Sequence, residues 1–486
     1  MSFIPIAEYR PDIALLNGAY SDEIRNVLPA DGSYIPMPSF KPLSQKLPSM
    51  PLGSFAVRSA DGGTSIFAGT ADRLYRLNNT DFSWEDITPD NITYSANIQA
   101  RWSFAVFGNY VLAVNKNNAP QVFELGKANK FRPLGGNPPR AGLVKIWGDF
   151  VCLMQLPDNP NRVFWSGLND AECWTEGENN CDYQDFADGG FVQGSTETTN
   201  PIIFLQSGIY AGSFIPGSDI VFSFRKLHDK RGAVSAQSIA CRGTQAFYAD
   251  QGGFFQIGAE GEIVSIGFEK VDRTVFSRLN AVNISEIYGV IDPFYARIYW
   301  AMDYEGRGHF DEMLVYDWGL QRWSLITISA LAILPIYPAG YSLEGLDKVA
   351  AELGNLPFSL DSKAWQGSAP ILGIFSDDYR LGAFSGPPME ALVASQELGS
   401  PSGAMQRITA LYPQIDSNAA QLELGTRFLS AETMRWAPPL AASYYTGRYH
   451  MRSRARFHKF RLRVPEGEIW HHINGFDAEM SQAGRR

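Results

Sequence analysis

Gly253-Phe254-Phe255-Gln256-Ile257, entered through the turn Asp250-Gln251-Gly252, is a short strand with an aromatic at its centre. The turn residues tolerate positive φ, and the aromatic run after them suits a pleated, half-buried surface. The same device recurs as Arg73-Leu74-Tyr75-Arg76-Leu77, Gln121-Val122-Phe123-Glu124-Leu125, Arg162-Val163-Phe164-Trp165-Ser166, Gly208-Ile209-Tyr210-Ala211-Gly212, Met313-Leu314-Val315-Tyr316-Asp317 and Leu372-Gly373-Ile374-Phe375-Ser376. The central aromatics Tyr75, Phe123, Phe164, Tyr210, Phe255, Tyr316 and Phe375 are separated by 48, 41, 46, 45, 61 and 59 residues. A unit of roughly 40–50 residues is the length of a four-stranded propeller blade. Three units close on a polar turn followed by Trp: Asn79 to Trp84, Leu168 to Trp174 and Asp317 to Trp323. That closure suits the outer hairpin of a blade. The pattern predicts an all-β chain built on a β-propeller of about seven blades, with six to eight compatible with the spacing.

Outward from this region, the chain divides into an extended N-terminal arm at 1–51, the propeller at 52–385 and a C-terminal β-rich, sandwich-like domain at 386–486. The arm is punctuated by Pro5, Pro11, Pro29, Pro36, Pro38, Pro42, Pro48 and Pro51. Such a segment cannot bury a core alone and is expected to dock on a neighbouring subunit or partner. Within it, Ser21 to Leu28 predicts two helical turns with Ser21 as N-cap. Further helices are expected at Leu343–Leu353, from its 3.6-residue apolar period, and at Met389–Leu398, after Pro387-Pro388. Beyond residue 400, long strands are expected at Arg407–Ile415, Gln421–Leu429, Tyr449–Val464 and Trp470–Met480. In the third of these, Arg452, Arg454, Arg456 and His458 alternate with apolar or small residues, and then Lys459, Arg461 and Arg463 alternate in the opposite phase. A one-residue slip of this kind marks a β-bulge, placed near His458. Tyr444, Tyr445 and Trp470 read as exposed aromatics suited to subunit contact.

The 486 residues are 45% hydrophobic and 13% aromatic, enough to bury a large core. Met1-Ser-Phe-Ile-Pro carries no basic leader, and no apolar run reaches the roughly 18 residues of a membrane helix. Cys152, Cys173, Cys181 and Cys241 are too spread for a disulfide framework and are expected as free thiols in a reducing cytosol. Net charge is −10, yet the segment from Ala441 onward holds nine Lys/Arg against four Asp/Glu, leaving −15 on the remainder. That asymmetry disfavours a general nucleic-acid-binding body. The stretch Arg448–Arg463 has seven Lys/Arg and no acid. It could meet phosphates or an acidic partner, or be a solvated face balanced by neighbouring acidic strands. No recognition helix or stacking repeat accompanies it, so Arg452, Arg454, Arg456, Arg461 and Arg463 are taken as candidate subunit or partner contacts.

Catalytic signatures do not emerge. No phosphate-cradling glycine loop and no Gly-x-Ser-x-Gly is present. His471-His472 alternate across a strand and cannot readily share a metal. Ser59 to Ser65 resembles a sialidase Asp-box, but it lacks the closing Trp and occurs once, as a plain hairpin turn would. The chain is expected not to be an enzyme and to need no cofactor or metal.

One family resemblance joins these landmarks. Phe164-Trp165-Ser166-Gly167-Leu168-Asn169-Asp170 with Trp174, Asp182 to Gly190, Ser238-Ile239-Ala240, Asp250 to Phe254, Ile266 to Arg273, Val315 to Trp318 and Gly447-Arg448-Tyr449-His450 occur in the order seen in the tail nozzle proteins of short-tailed bacteriophages. These are also called tail hub or packaged-DNA stabilisation proteins. The resemblance runs from about Pro29 to Arg486. It implies a virion structural protein without catalysis, made in the host bacterial cytoplasm and placed in the virion tail. It further implies a homohexameric ring around the DNA exit channel, contacts with the head-to-tail adaptor and with tail fibres or tailspikes, and non-sequence-specific passage of double-stranded genomic DNA. An acidic body fits such a channel, because a like-charged wall does not hold phosphates. The alternative class is a propeller that binds or hydrolyses host-surface glycans.

Overall fold

A computed structural model describes residues 2–13, 18–58, 63–279, 283–337, 370–399 and 403–484. Strands Ser54–Arg58, Thr64–Gly69, Leu74–Leu77 and Trp84–Asp86 pair in sequence order as an antiparallel meander, blade 1. Meanders spanning 103–133, 143–185, 192–228 and 240–265 repeat it as blades 2 to 5. Blade 6 consists of Tyr288–Ile291, Arg297–Met302, Phe310–Asp317 and the first part of the 15-residue strand Arg322–Ile336. From Ala330 onward that strand pairs instead with Ile371–Ser376 and becomes the inner strand of blade 7. Register shifts at Phe310/Glu312 and Ala330/Ala332 mark where it bends from one blade into the next. Blade 7 continues through Leu381–Pro388 and is completed by Pro38–Pro42 from the N-terminal segment. Two prolines are tolerated in that strand because it forms the blade's outer edge.

Seven apolar clusters alternate with the seven blades. The cluster that closes the ring joins Ala56, Ile66, Tyr75 and Leu77 of blade 1 to Leu334, Ile336, Phe375 and Leu381 of blade 7. Because each blade is faced by two others, its middle strands are buried on both sides. Phe150–Met154 and Arg297–Met302 are buried throughout, and Phe150–Met154 and the residues after Arg297 read in the sequence as apolar runs without alternation. The ring is thus a seven-bladed propeller. Six of the seven central aromatics fall on the third strand of their blades; Phe375 falls on the second strand of blade 7, whose outer strand comes from the other end of the chain.

The C-terminal region is a two-layer sandwich. One sheet contains Tyr449–Ala455, Gln406–Ile415 and Ile473–Gln482, extended by Ser2–Pro5, Ser33–Pro36 and Val27–Ala30. The other contains Ala391–Ala394, Phe457–Val464 and Gln421–Arg427. Between them, Ile408, Leu411, Leu422, Phe460, Leu462 and Phe476 belong to the same core as Phe254, Trp300 and Trp323 of blades 5 and 6. Ile24–Arg25 pairs with Leu325 on one side and Leu392 on the other, joining the propeller and sandwich sheets by backbone hydrogen bonds. The N-terminal residues therefore lie along their own chain, where Ile4, Ile6, Tyr9, Ile24, Val27 and Tyr34 are buried.

Several local expectations are corrected. Residues 20–30 form strands Tyr20–Ser21, Ile24–Arg25 and Val27–Ala30, not helical turns. The Ser21 hydroxyl does accept the Glu23 N–H at 3.2 Å, but as a local turn, since β-branched Ile24 and Val27 are drawn into sheet edges. Met389–Leu398 is likewise extended, with strand Ala391–Ala394 sealing the sandwich. The phase slip falls at Arg456, between Tyr449–Ala455 and Phe457–Val464. These strands belong to opposite sheets, so the slip is the corner where the chain crosses the sandwich. Trp174 precedes its outer strand by several residues, and Trp470 is buried at 2% exposure. The four cysteines are free, with Cys152 and Cys181 buried. The helix expected at Leu343–Leu353 and the turn at Ser59–Gly62 lie outside the described residues.

Candidate functional site

Two of the quoted motifs meet in space. The Asp272 carboxylate reaches back to blade 5 and accepts the Phe254 N–H at 3.1 Å. A Cβ on Gly267 would lie 1.9 Å from Asp272 Oδ1, and one on Gly253 would lie 2.5 Å from Oδ2, so both positions need glycine for this approach. Asp12 completes the joint from 260 residues away. Its carboxylate accepts the N–H groups of Arg273 at 2.7 Å and Thr274 at 2.8 Å, and the Thr274 hydroxyl at 2.7 Å. It thereby satisfies open donors of the short helix Asp272–Phe276, whose own N-cap, Val271, supplies no side-chain bond. Lys270 donates to the Gln321 carbonyl at 2.8 Å, and Trp323 Nε1 donates to the Ile266 carbonyl at 3.1 Å. The joint binds blade 5, blade 6, the sandwich core and the N-terminus together. Asp12 carries no local signal in the sequence, because its partners are distant and its neighbours resemble any loop.

Burial pushes the Asp272 carboxyl up to about 7; the Phe254 N–H opposes the rise and the Asp12 carboxylate adds to it. Between roughly pH 4, where an unfolded Asp titrates, and pH 7, the fold binds more protons at this site than the unfolded chain does. Asp272 therefore lowers stability as pH rises through that window and leaves a constant cost above it. His458 acts in the opposite direction. Burial pushes its ring down to about 4, so the stability it withholds at low pH returns as pH rises towards the unfolded value of about 6.5. In Asp272→Asn the falling contribution disappears. Urea midpoints measured from pH 4 to 8 should climb relative to the parent chain, with the gap widest above pH 7. Parallel curves would contradict this assignment.

The basic strand divides at its corner. Arg461 grips Glu23 through Nε at 2.8 Å and Nη2 at 2.5 Å, reaches Glu423 at 3.1 Å and stacks 3.8 Å over Trp436. Burial pushes the Glu23 carboxyl up, but hydrogen bonds from Arg461 and the charges of Lys459 and Arg461 outweigh it and hold the group below its usual range. Buried Lys459 pairs with Asp22, and Arg463 pairs with Glu390. This half of the strand fastens the N-terminal segment to the sandwich. Across the corner, Arg452 and Arg454 are exposed and Arg456 is half-buried, with Arg454 donating to the Ala483 carbonyl at 2.9 Å.

The most exposed aromatics cap one end of the sandwich. Tyr444 and Tyr445 are 94% and 92% exposed, edge to face at 5.3 Å. Their loop is rigidly closed: Ser443 N–H donates to the Arg448 carbonyl at 2.9 Å and Gly447 N–H to the Ser443 carbonyl at 2.8 Å, with Gly447 at φ 64°. Two further loops gather beside it. Tyr449 Oη donates to the Ala420 carbonyl at 2.6 Å, the Ser417 hydroxyl to Glu468 at 2.8 Å, and the His471 ring pairs with Asp416 at 2.6 Å. The last of these loops carries Ile469 at 73% exposure.

A Ser–His–Asp grouping lies at the seam of blades 6 and 7. His309 Nδ1 meets Asp311 at 3.1 Å, and Nε2 meets the Ser329 hydroxyl at 3.0 Å. Asp377 occupies the same Nε2 at 2.6 Å and accepts the Ser329 proton. A nucleophile needs its base free on that side; here the acid between them makes the group an inter-blade clasp. Among the described residues no cluster of three His, Cys, Asp or Glu side chains could hold a metal, and no helix is long and apolar enough to cross a membrane.

The pairing of strands defines a seven-bladed propeller fused to a sandwich and closed by its own N-terminal segment. No protein-family model matches the chain, and no curated protein sequence matches it. Among solved structures, it is similar to a chain of the mitotic checkpoint complex at 9% identity and TM-score 0.38, covering 71% of this chain and 92% of that one. The N-terminal domain of Nup159 aligns at 11% identity and TM-score 0.39, covering 74% and 97%. The computationally designed Ika8 protein aligns at 9% identity and TM-score 0.36, covering 70% and 98%.

Proposed function

We propose that this chain is a virion structural protein of the tail-nozzle class, assembled as a homohexameric ring that closes the DNA exit channel, retains the packaged genome and conducts it on ejection. The observation that carries this reading is the joint. The landmarks Asp250 to Phe254 and Ile266 to Arg273, close in the sequence, are locked together and tied to Asp12 from the N-terminal segment, and they serve architecture, not chemistry. A motif set devoted to locking blades, sandwich and N-terminus together suits a part that must resist load. The rigid, solvent-facing Tyr444–Tyr445 tip and the exposed Arg452 and Arg454 offer contact points for a neighbouring copy, the adaptor or a fibre, since aromatic and arginine side chains dominate binding energy at such interfaces. The acidic balance of the remaining chain suits a wall past which duplex DNA slides. Gold-labelled antibody raised against the purified chain, applied to virions of the parent phage, should decorate the distal end of the tail. Label on the capsid, or on no part of the particle, would refute the reading.

A further inference from the structure

The inner strands of the blades line an open cavity of about 490 Å³ on the propeller axis. Its walls mix two kinds of surface. One is apolar and aromatic: Leu331 and the stacked pair Phe55 and Phe104, whose rings lie 6.2 Å apart at 7°. The other is charged, with Arg58, Arg101 and Lys145 lining the space against the single carboxylate of Glu197. The Arg101 side chain is only 9% exposed, and among the described residues its Nη2 donates no hydrogen bond. The nearest acid, Glu286, stands 3.7 Å from that nitrogen, beyond hydrogen-bond length. Leaving a buried charged donor unmet is unfavourable, and native folds seldom do so without a reason. Lys145 is paired at 2.9 Å with Glu197, but that carboxylate is 50% exposed and free to turn to solvent. Tyr288 lines the cavity beside both cations: burial raises its hydroxyl, and Arg101 and Lys145 each pull it back. Arg101, Lys145 and Tyr288 thus line the same cavity as the aromatic pair.

We propose that this axial cavity binds a small organic anion, its carboxylate or phosphate head between Arg101 and Lys145 and its apolar or aromatic body against Phe55 and Phe104. Guanidinium and ammonium donors meet either oxyanion, and a cavity of this size with few convergent polar groups suits a small ligand. The proposal is independent of the tail-nozzle reading, because it concerns the propeller axis of a single chain. Titration calorimetry on the full chain should use phenyl phosphate, benzoate and neutral benzyl alcohol. At least one anion should bind in the millimolar range or tighter, and benzyl alcohol at least tenfold more weakly. Arg101→Met should weaken the anion at least tenfold. If that variant does not fold, Lys145→Met and Tyr288→Phe carry the test, with the same direction expected. A preference for phenyl phosphate or for benzoate identifies the head group, and either supports the site. No binding by either anion at millimolar concentration, equal binding of benzyl alcohol, or unchanged affinity in the folded variants would overturn it.

Discussion

Removal of residues 2–42 is expected to abolish folding of the whole chain. The segment contributes Pro38–Pro42, the outer strand that completes blade 7, and Ile24–Arg25, the only strand paired to both the propeller and sandwich sheets among the described residues. It also buries Ile4, Ile6, Tyr9, Ile24, Val27 and Tyr34 in the shared core. Each such side chain contributes about 1.5–3 kcal/mol when fully buried. Six of them together rival the roughly 5–15 kcal/mol by which a domain is stable at all. The truncated chain should be recovered as aggregate, or as a soluble species without a cooperative melting transition. A monodisperse product melting cooperatively within a few degrees of the full chain would show that the segment is an accessory arm. In that case its loss would touch assembly alone.

The second large effect separates the arginines of one strand. Arg461→Met leaves Glu23 and Glu423 without their shared partner in a largely buried setting and removes the stack on Trp436. Breaking a buried pair from one side costs about 3–5 kcal/mol, and the lower end applies here because Glu23 is 30% exposed. Arg452→Met, exposed on the other side of the corner, should change stability by no more than about 0.5 kcal/mol. Denaturant midpoints of the two variants, measured side by side, check this. Equal effects would mean that the corner at Arg456 does not divide the strand into an internal and an external half.

The blade repeat was legible because a propeller imposes the same burial on every unit. Each third strand lies between two apolar seams, so an aromatic recurs at its centre at near-constant spacing, as at Tyr75, Phe123 and Phe164. The sandwich strands were legible from length and alternation, and the phase change around Arg456 was visible because a strand that switches sheets must reverse its inward face. Local helix signals misled at Ser21 to Leu28 and Met389 to Leu398. There, N-cap and proline cues were overridden by edges of sheets whose partners lie hundreds of residues away, such as Leu325 for Arg25. The same distance hid the role of the N-terminal segment. Its prolines suggest an arm without a core, and nothing near Pro38 announces that it closes blade 7. The basic strand was legible as a cluster of charge, but its division was not, because the acids that engage Arg461 come from Glu23 and Glu423, far apart in the chain.

The proposed function requires copies of this chain to form a closed ring at the end of a phage tail. Heterologous contacts that close on themselves fix a definite copy number, so the direct measurement is that number in intact, purified tails, by native mass or by rotational symmetry in electron micrographs. Isolated subunits are a poor substitute, since in the proposed tail the ring would form only on the adaptor. Six copies arranged around a central hole is the expected result. Any other number, or an assembly without an axial opening, would contradict the account.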